Sequence, residues 1–271
     1  MTILEKIIAH KKQEVAERRQ LYPAKLLEKS IYFDTPVVSL RKYLLREDKS
    51  GIIAEFKRRS PSRGDINPYA SVERVSIGYM QAGASALSVL TDGKFFGGAN
   101  EDLTEARRFN FCPILRKEFI IDEYQLIEAR AIGADAVLLI AECLDKDQLA
   151  RLARAAKALG LEVLLEVHSR EQLDKYTPDV DAVGVNNRNL ETFEVSIAAS
   201  LDLIAALPAE AVKVSESGLN DPQAVVELKM SGYQGFLIGE HFMSRPDPGR
   251  ACREFIRQVR HIEGLLKDAI A

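Results

Sequence analysis

The 271-residue sequence has no tryptophan and only three cysteines, which stand far apart at Cys112, Cys143 and Cys252. An odd number of widely spaced cysteines provides neither a disulfide framework nor a zinc-binding pair, and it indicates a reducing compartment. A strong charge bias is also missing, because 37 Lys and Arg residues face 40 Asp and Glu residues and leave a net charge of −3. No basic field therefore favours a nucleic-acid partner.

Long apolar runs are absent as well. At the amino terminus, Glu5 and Lys6 interrupt the chain before the apolar core of a signal peptide could form. The apolar segment 136–141 is short and closed by acidic residues, whereas a membrane span needs about 20 mostly apolar residues. We therefore expect a cytoplasmic protein that has no membrane partner.

The motifs of several familiar chemistries are missing too. The sequence contains no G-x-G-x-x-G, no Walker A pattern and no G-x-S-x-G, so neither a dinucleotide site nor a serine nucleophile is indicated. The four histidines form no H-E-x-x-H or H-x-H pair: His10, His168, His241 and His261. We expect no metal and no cofactor, and we expect His168 to be a surface or packing residue.

The sequence does contain a repeated pattern of short apolar runs and helical stretches. Short apolar, β-prone runs recur at 52–56, 86–90, 113–116, 136–140, 162–167, 182–185, 212–214 and 235–238. A loop and a helical stretch follow each run, for example at 148–159 and at 222–230, where Asp221 and Pro222 are typical of a helix start. Four glycines stand where helices should end: Gly83, Gly133, Gly160 and Gly232.

Eight βα units in about 220 residues favour a closed (β/α)8 barrel over an open doubly wound sheet, which would usually carry a phosphate-binding fingerprint. No linker divides the chain, so we expect a single domain over residues 1–271. Residues 1–48 are expected to form an N-terminal helical extension, since Ile3, Ile7 and Val15 recur near a 3.6-residue period. This extension either packs against the barrel or serves as a lid or substrate clamp.

Polar side chains follow the predicted strands at the end where such barrels carry their reacting groups. Glu55 and Lys57 stand two residues apart at the end of the first strand and therefore share a face. Further residues of this kind end the third, fifth, sixth and seventh strands: Lys117, Glu166, Asn186, Arg188 and Glu216. Any one of them could belong to a solvated loop or a structural salt bridge, but five such strand ends together predict an acid–base site.

Nearby charges decide how this site would work. Carboxylates close to the two lysines should hold them protonated, so we expect Lys57 and Lys117 to donate protons and bind anions. Schiff-base chemistry would need a free amine instead. Glu166 emerges from the apolar residues Leu164 and Leu165, so we expect burial to raise its pKa and to make it the general base or acid.

Two loops have the composition of a phosphate site. Barrels often bind phosphate through backbone amides that follow strands seven and eight, and here those loops contain Ser217-Gly218 and Gly239-Glu240. Glycine allows the backbone to approach an oxyanion closely. Tight turns without a ligand are the alternative.

Aromatic residues follow the second and third predicted strands. Phe95, Phe96 and Phe119 stand where core packing does not require them. They are either hydrophobic anchors of the loops or the walls of a slot for a planar ring.

In their order along the chain, the strand ends resemble those of the indole-3-glycerol phosphate synthase family. The resemblance is carried by Ile53-Ala54-Glu55-Phe56-Lys57 with Ser60-Pro61-Ser62, Leu90-Thr91-Asp92 with Phe95-Phe96-Gly97-Gly98, Leu115-Arg116-Lys117-Glu118-Phe119 with Asp122, Glu166-Val167-His168, Asn186-Asn187-Arg188-Asn189-Leu190, Ser215-Glu216-Ser217-Gly218 and Phe236-Leu237-Ile238-Gly239. No single segment is specific, but the joint pattern covers the barrel in order and is highly specific.

The resemblance implies a cofactor-free carboxy-lyase of tryptophan biosynthesis with a (β/α)8 barrel and an N-terminal helical extension. Its substrate would be 1-(2-carboxyphenylamino)-1-deoxyribulose 5-phosphate. Ring closure of this compound releases carbon dioxide and water and yields indole-3-glycerol phosphate.

The resemblance also implies roles for individual residues. Lys117 matches the principal general acid, Lys57 matches the residue that engages the ring carboxylate, and Glu166 matches a later base that Glu55 supports. Which lysine handles which proton stays open. The implied catalytic residues are Lys117, Glu166, Lys57, Glu55, Asn186 and Glu216. The implied substrate-binding residues are Ser60, Pro61, Ser62, Phe96, Phe119, Leu138, Arg188, Ser217, Gly218, Leu237, Gly239 and Glu240.

Other interpretations remain at this point. Another phosphate-binding barrel enzyme, such as a sugar-phosphate isomerase or a Schiff-base aldolase, would use similar groups. A non-catalytic barrel subunit would have no reason to keep buried charges. Glu240 stands where some relatives of the family have a small hydroxyl residue, so it bears on the affinity for phosphate. The sequence predicts a small phosphorylated substrate and indicates no particular partner enzyme.

Overall fold

Eight parallel strands close into a barrel in the computed structural model, which describes residues 2–189 and 192–270. Each strand pairs with its neighbour in sequence, and the last pairs with the first. The strands are β1 (Ile52–Phe56), β2 (Ala86–Leu90), β3 (Ile114–Lys117), β4 (Ala136–Ile140), β5 (Glu162–Val167), β6 (Ala182–Asn186), β7 (Val212–Glu216) and β8 (Gly235–Ile238). The predicted (β/α)8 barrel is confirmed. Leu190, the last residue of the motif after β6, and the two chain ends lie outside the described residues.

Three strands differ in their bounds from the prediction. β3 begins at Ile114 and not at Pro113, because proline has no N–H to donate to a strand ladder. β6 and β7 are longer than predicted and include Asn186 and Glu216, which are register partners. These two polar residues therefore stand on strand backbone and not on loops. A hairpin between Arg59–Ser60 and Gly64–Asp65 follows β1 without a clear sequence signal.

Helices precede the first strand, fill most of the connections between strands and follow the last strand. They are α1 (Ile3–Leu21), α2 (Ala24–Leu27), α3 (Leu40–Leu44), α4 (Val72–Ala82), α5 (Gly93–Phe96), α6 (Asn100–Phe109), α7 (Glu123–Ile132), α8 (Lys146–Ala158), α9 (Ala198–Leu203), α10 (Pro222–Ser231), α11 (Glu240–Met243) and α12 (Pro248–Ile270). Asp221 caps α10 as predicted, accepting a hydrogen bond from the Gln223 N–H. α8 begins two residues before the predicted start because Asp145 caps it. In the described part of the chain, no helix has the length and apolarity to cross a membrane.

Successive side chains along each strand point alternately to the inside of the barrel and to its outer wall. One set of residues forms an inner cluster, which includes Ile53, Leu115, Leu138, Leu164, Val214 and Leu237. Leu40 and Leu44 of α3 pack into the same cluster. Because successive strand side chains point to opposite faces, residues two positions beyond this cluster also face the interior. Lys117, Glu166 and Glu216 stand at such positions, so the fold turns them toward one another.

α1 is attached to the barrel through buried charges. The Nζ atom of Lys11, which is 1% exposed, lies 2.9 Å from a carboxylate oxygen of Asp92 and 3.0 Å from one of Glu118. Further along α1, Arg18 forms an ion pair with Glu128 of α7 at 2.5 Å. The amino-terminal turn of α1 reaches the carboxyl end of the barrel, where Ile7 borders the same cavity as Lys117.

Candidate active site

A cavity of about 760 Å³ opens at the carboxyl end of the strands. The structure brings every residue implied by the resemblance to this one cavity: Glu55, Lys57, Ser60, Pro61, Ser62, Phe96, Lys117, Phe119, Leu138, Glu166, Asn186, Arg188, Glu216, Ser217, Gly218, Leu237, Gly239 and Glu240. Seven of the eight strands contribute to this set, and Phe96 comes from the segment that follows β2, the remaining strand. The spatial convergence is a property of the closed barrel, since all eight strands end at the same rim.

Lys117 stands between two carboxylates at the floor of the cavity. Its Nζ atom donates to Glu166 Oε2 at 2.7 Å and to Glu216 Oε2 at 2.9 Å. Asn186 Nδ2 donates to the other Glu166 oxygen at 3.0 Å. Glu166 therefore has partners on both oxygens, whereas the second oxygen of Glu216 is buried without a hydrogen-bond partner.

This arrangement determines the charges of the three groups. Burial would lower the pKa of Lys117, but the nearby carboxylates of Glu166, Glu216 and Glu55 outweigh it and hold the ammonium charged. Burial dominates at Glu216 and raises its pKa to about 7, with Glu166 adding to the rise. At Glu166 burial also favours the neutral acid, but the Lys117 ammonium and then His168 overcome it and lower the pKa to about 2.

The expected raised pKa of Glu166 is therefore wrong. Apolar neighbours along the chain predicted it, but the ammonium of Lys117 lies against this carboxylate in space. Two carboxylates that share one cation separate in pKa, because the better-paired group stays ionised while the other resists a second negative charge. Glu216 is the carboxylate with the raised pKa.

A second ion pair lies at the end of β1. Lys57 Nζ is 2.7 Å from Glu55 Oε1, and Glu55 is buried while Lys57 is half-buried. Gly239 makes room for this carboxylate, because a Cβ there would lie 2.4 Å from Glu55 Oε1. Lys57 thus presents a cation to the cavity from the side of the barrel opposite β5.

Apolar side chains form one wall of the cavity. The rings of Phe96 and Phe119 lie 5.8 Å apart between centroids at an interplanar angle of 37°. Leu138 and Leu237 border the same cavity. Phe95 does not belong to this wall and packs edge-on against His10 of α1 at 5.9 Å. Of the two interpretations of these aromatics, Phe96 and Phe119 fit a slot and Phe95 fits an anchor.

The loop after β7 is the candidate anion cradle indicated by its composition, and its backbone turns tightly beside the cavity. Ser217 and Gly218 both have positive φ angles, of 68° and 74°, and both border the cavity. Asn187 fastens the loop: its Nδ2 donates to the Ser217 carbonyl oxygen at 3.1 Å and to Ser215 Oγ at 2.9 Å. Ser62, from the hairpin that follows β1, borders the cavity as well.

The Glu240 side chain forms ion pairs with two arginines. Its Oε1 lies 2.7 Å from Arg63 Nε, and its Oε2 lies 3.3 Å from Arg188 Nη2. The carboxylate thereby bridges the hairpin after β1 and the loop after β6. Its charge is balanced by these guanidinium groups.

The sequence pattern did not indicate some residues that border the cavity or lie beside its catalytic groups. Ile3, Leu4 and Ile7 of α1 border the cavity although they are distant in sequence from every strand end. His168, expected at the surface or in packing, places Nε2 3.5 Å from Glu166 Oε1, and both ring nitrogens are buried without hydrogen-bond partners. Its spacing of two from Glu166 was a usable signal, because that spacing preserves the inward face of β5.

The fold and the site together define a (β/α)8-barrel enzyme whose acid–base groups meet at the carboxyl end of the strands. The sequence matches the indole-3-glycerol phosphate synthase family over residues 4–255. A protein named indole-3-glycerol phosphate synthase from Bacteroides thetaiotaomicron is 48% identical over 258 residues, which cover 95% of this chain and 99% of that protein. The chain belongs to this family of carboxy-lyases of tryptophan biosynthesis (EC 4.1.1.48).

Solved structures of other proteins share the fold. Thiamine phosphate pyrophosphorylase from Pyrococcus furiosus superimposes with a TM-score of 0.59 at 16% identity, over 83% of this chain and 99% of that one. The 3-hexulose-6-phosphate synthase from Salmonella typhimurium has a TM-score of 0.61 at 12% identity, over 78% of this chain and 98% of that one. At such identities the likeness concerns the fold alone.

Proposed function

We propose that the chain closes the indole ring of indole-3-glycerol phosphate from 1-(2-carboxyphenylamino)-1-deoxyribulose 5-phosphate, with release of carbon dioxide and water. One observation carries the assignment of roles: the Lys117 ammonium, held between Glu166 and Glu216, lies at the floor of a cavity with an apolar wall and an anion cradle. A molecule that joins an aromatic ring to a phosphorylated sugar would occupy such a cavity lengthwise.

The substrate's two ends match different parts of the cavity. The ring would lie against Phe96 and Phe119, since flat apolar surface is best buried against aromatic faces. The phosphate would accept hydrogen bonds from backbone N–H groups of the loop at Ser217 and Gly218 and of the residues after β8. The ring carboxylate would face Lys57, whose ammonium is compact and strongly attractive to carboxylates.

Lys117 would protonate the sugar carbonyl oxygen while the ring carbon that bears the carboxylate attacks the carbonyl carbon. Because Lys117 keeps its proton in the buried site, the acid form that this step needs is present when the substrate binds. Carbon dioxide then leaves, and the electron pair of the broken bond returns to the ring and its protonated imine-like nitrogen. This intermediate can itself accept the electrons of decarboxylation.

Dehydration completes the second ring. Lys57 would protonate the departing hydroxyl, and Glu166 would accept the proton lost from the adjacent carbon. Two protons donated and one accepted leave a net uptake of one proton, as required when a carboxylate leaves as neutral carbon dioxide. The low pKa of Glu166 depends on the Lys117 ammonium, so donation by Lys117 would strengthen Glu166 as a base for the later step.

Asn186, Arg188 and Glu216 would orient the reacting groups. Asn186 and Glu216 hold Glu166 and Lys117 by hydrogen bonds at 3.0 Å and 2.9 Å. We further propose that the α1 residues Ile3 and Ile7 form part of the cavity roof, so that the extension and the barrel act as one domain. A reducing, cytoplasmic location is supported by three free cysteines, two of them buried.

The roles are tested with a fluorescence assay for the indole product. Lys117→Met and Glu166→Gln should each reduce turnover by about 10²–10⁴-fold, the usual contribution of a positioned acid or base. The matched controls are Lys146→Met and Glu227→Gln, which change exposed residues on α8 and α10 and should leave turnover unchanged. Turnover close to that of the parent in either active-site variant would contradict its role.

Trapping with borohydride tests whether Lys117 forms a Schiff base with the substrate. Because its ammonium is paired with two carboxylates and keeps its proton, we expect no covalent capture when substrate and borohydride are added together. A substrate adduct on Lys117, detected by mass spectrometry of the digested protein, would favour an aldolase-like mechanism instead.

A further inference from the structure

Gly184 lies in the middle of β6, in register with Glu166 on β5 and Val214 on β7. Its neighbours two positions away, Ala182 and Asn186, face the inside of the barrel, so a side chain at residue 184 would face inward too. A Cβ at this position would lie 2.1 Å from Glu216 Oε1 and 3.1 Å from Glu216 Cδ. The carboxylate of Glu216 occupies the space that any other residue would need.

The backbone does not explain a glycine at this place. Gly184 has ordinary strand conformation, within a strand that is hydrogen-bonded on both sides. Glycine in a strand interior weakens the strand and frequently marks a close approach by another group. The close approach here is that of the Glu216 carboxylate.

The space beside Gly184 allows the Glu216 side chain to lie over β6. Its register partner on β6 is Asn186, but its carboxylate leans over the strand at Gly184 and reaches Lys117 with Oε2 at 2.9 Å. Oε1 lies buried without a hydrogen-bond partner. A carboxylate pressed against a bare backbone in this way is cut off from water.

We propose that Gly184 is a positioning residue of the active site, which seats the Glu216 carboxylate below the rim of the barrel so that it holds Lys117 in line with the reacting carbonyl. This inference rests on the proposed role of Glu216. It adds the requirement that residue 184, which has no functional group of its own, has no side chain.

The first test is Gly184→Ala. Ordinary van der Waals contact begins at 3.4 Å, so the added methyl group would displace the Glu216 carboxylate by about 1 Å, and such a misplacement can cost about 10²-fold in rate. We expect kcat to fall by about that factor while KM changes little, since the phosphate cradle and the aromatic wall are untouched. A kcat equal to that of the parent would overturn the proposal.

A double-mutant cycle separates positioning from general damage. In a Glu216→Ala background the clash with the carboxylate is gone and only the flexible end of Leu164 remains close, with Cδ1 at 3.3 Å. Gly184→Ala should then change kcat by less than about twofold and should lower Tm far less than it does beside the intact Glu216. Equal costs in both backgrounds would overturn the proposal. If Gly184→Ala alone does not fold, the double variant should fold, and its failure to do so would equally overturn it.

Gly235→Ala is the matched control. It adds a methyl group to another strand glycine, where the Cβ would meet Val214 Cγ2 at 2.8 Å and Leu44 Cδ1 at 3.3 Å, away from the carboxylates. We expect a loss of Tm that is the same with and without Glu216, and a retained kcat. If Glu216→Ala alone keeps the turnover of the parent, the proposed role of Glu216 fails. The double-mutant cycle measured by Tm still decides whether Gly184 positions the Glu216 side chain.

Discussion

Replacement of Lys11 by methionine tests how α1 is held over the barrel. The Lys11 ammonium is enclosed by Asp92, Glu118 and Glu14, at 2.9, 3.0 and 2.9 Å. Burial opposes its charge, but these carboxylates raise the pKa of Lys11 above its usual value. Methionine preserves much of the volume and removes the cation, so Asp92 and Glu118, which are 0% and 3% exposed, would lose their cationic partner.

The expected loss is large, because breaking a buried ion pair by removing one partner costs about 3–5 kcal/mol. The entropy of unfolding near Tm is about 2.1 cal/mol/K per residue, or about 0.57 kcal/mol/K for 271 residues. Tm should therefore fall by about 5–9 °C. KM for the substrate should rise as well, since Asp92 caps α5, which carries Phe96 of the aromatic wall.

Thermal unfolding followed by circular dichroism measures this effect. Lys12→Met is the matched control, because Lys12 is the exposed neighbour of Lys11 on the same helix and should change Tm by about 1 °C at most. Adding Glu118→Gln to Lys11→Met should recover part of the loss by removing one uncompensated charge. A Tm for Lys11→Met within 1 °C of the Lys12→Met value would refute the argument that this cluster anchors α1.

Two further predictions concern the loop after β7 and the raised pKa of Glu216. Asn187→Ala removes the amide that fastens Ser215 and Ser217. In steady-state assays, KM for the phosphorylated substrate should rise about tenfold or more with little change in kcat. A selective loss of kcat would contradict this prediction. The pKa of Glu216 is raised to about 7, so between about pH 5 and 7 the native protein keeps a proton that the unfolded chain has already released. The contribution of Glu216 to stability should therefore fall as pH rises through this range, by up to about 1.4 kcal/mol per pH unit. Glu216→Gln should remove this slope in denaturant titrations, and equal slopes in both proteins would refute the assignment.

Much of the barrel could be predicted from local sequence, because strands buried on both faces appear as short apolar runs. The bounds of β1, β2, β4, β5 and β8 agree with the predicted runs. The errors at the ends of β6 and β7 have a common reason: Asn186 and Glu216 are polar and look like loop residues, but pairing with a neighbouring strand keeps them extended. Local polarity does not reveal a partner that is 30 residues away in the chain.

The sequence by itself determined which chemical groups stand at the strand ends and, through the spacing of two, which of them share a face. It could not determine the charge states, since the low pKa of Glu166 and the raised pKa of Glu216 depend on how two carboxylates divide one ammonium in space. The contribution of Ile7 to the cavity and the space that Gly184 leaves for the Glu216 carboxylate are likewise tertiary. Each of them arises from a contact between segments that are distant in the chain and adjacent only in the folded barrel, and such contacts leave no periodic trace in the sequence.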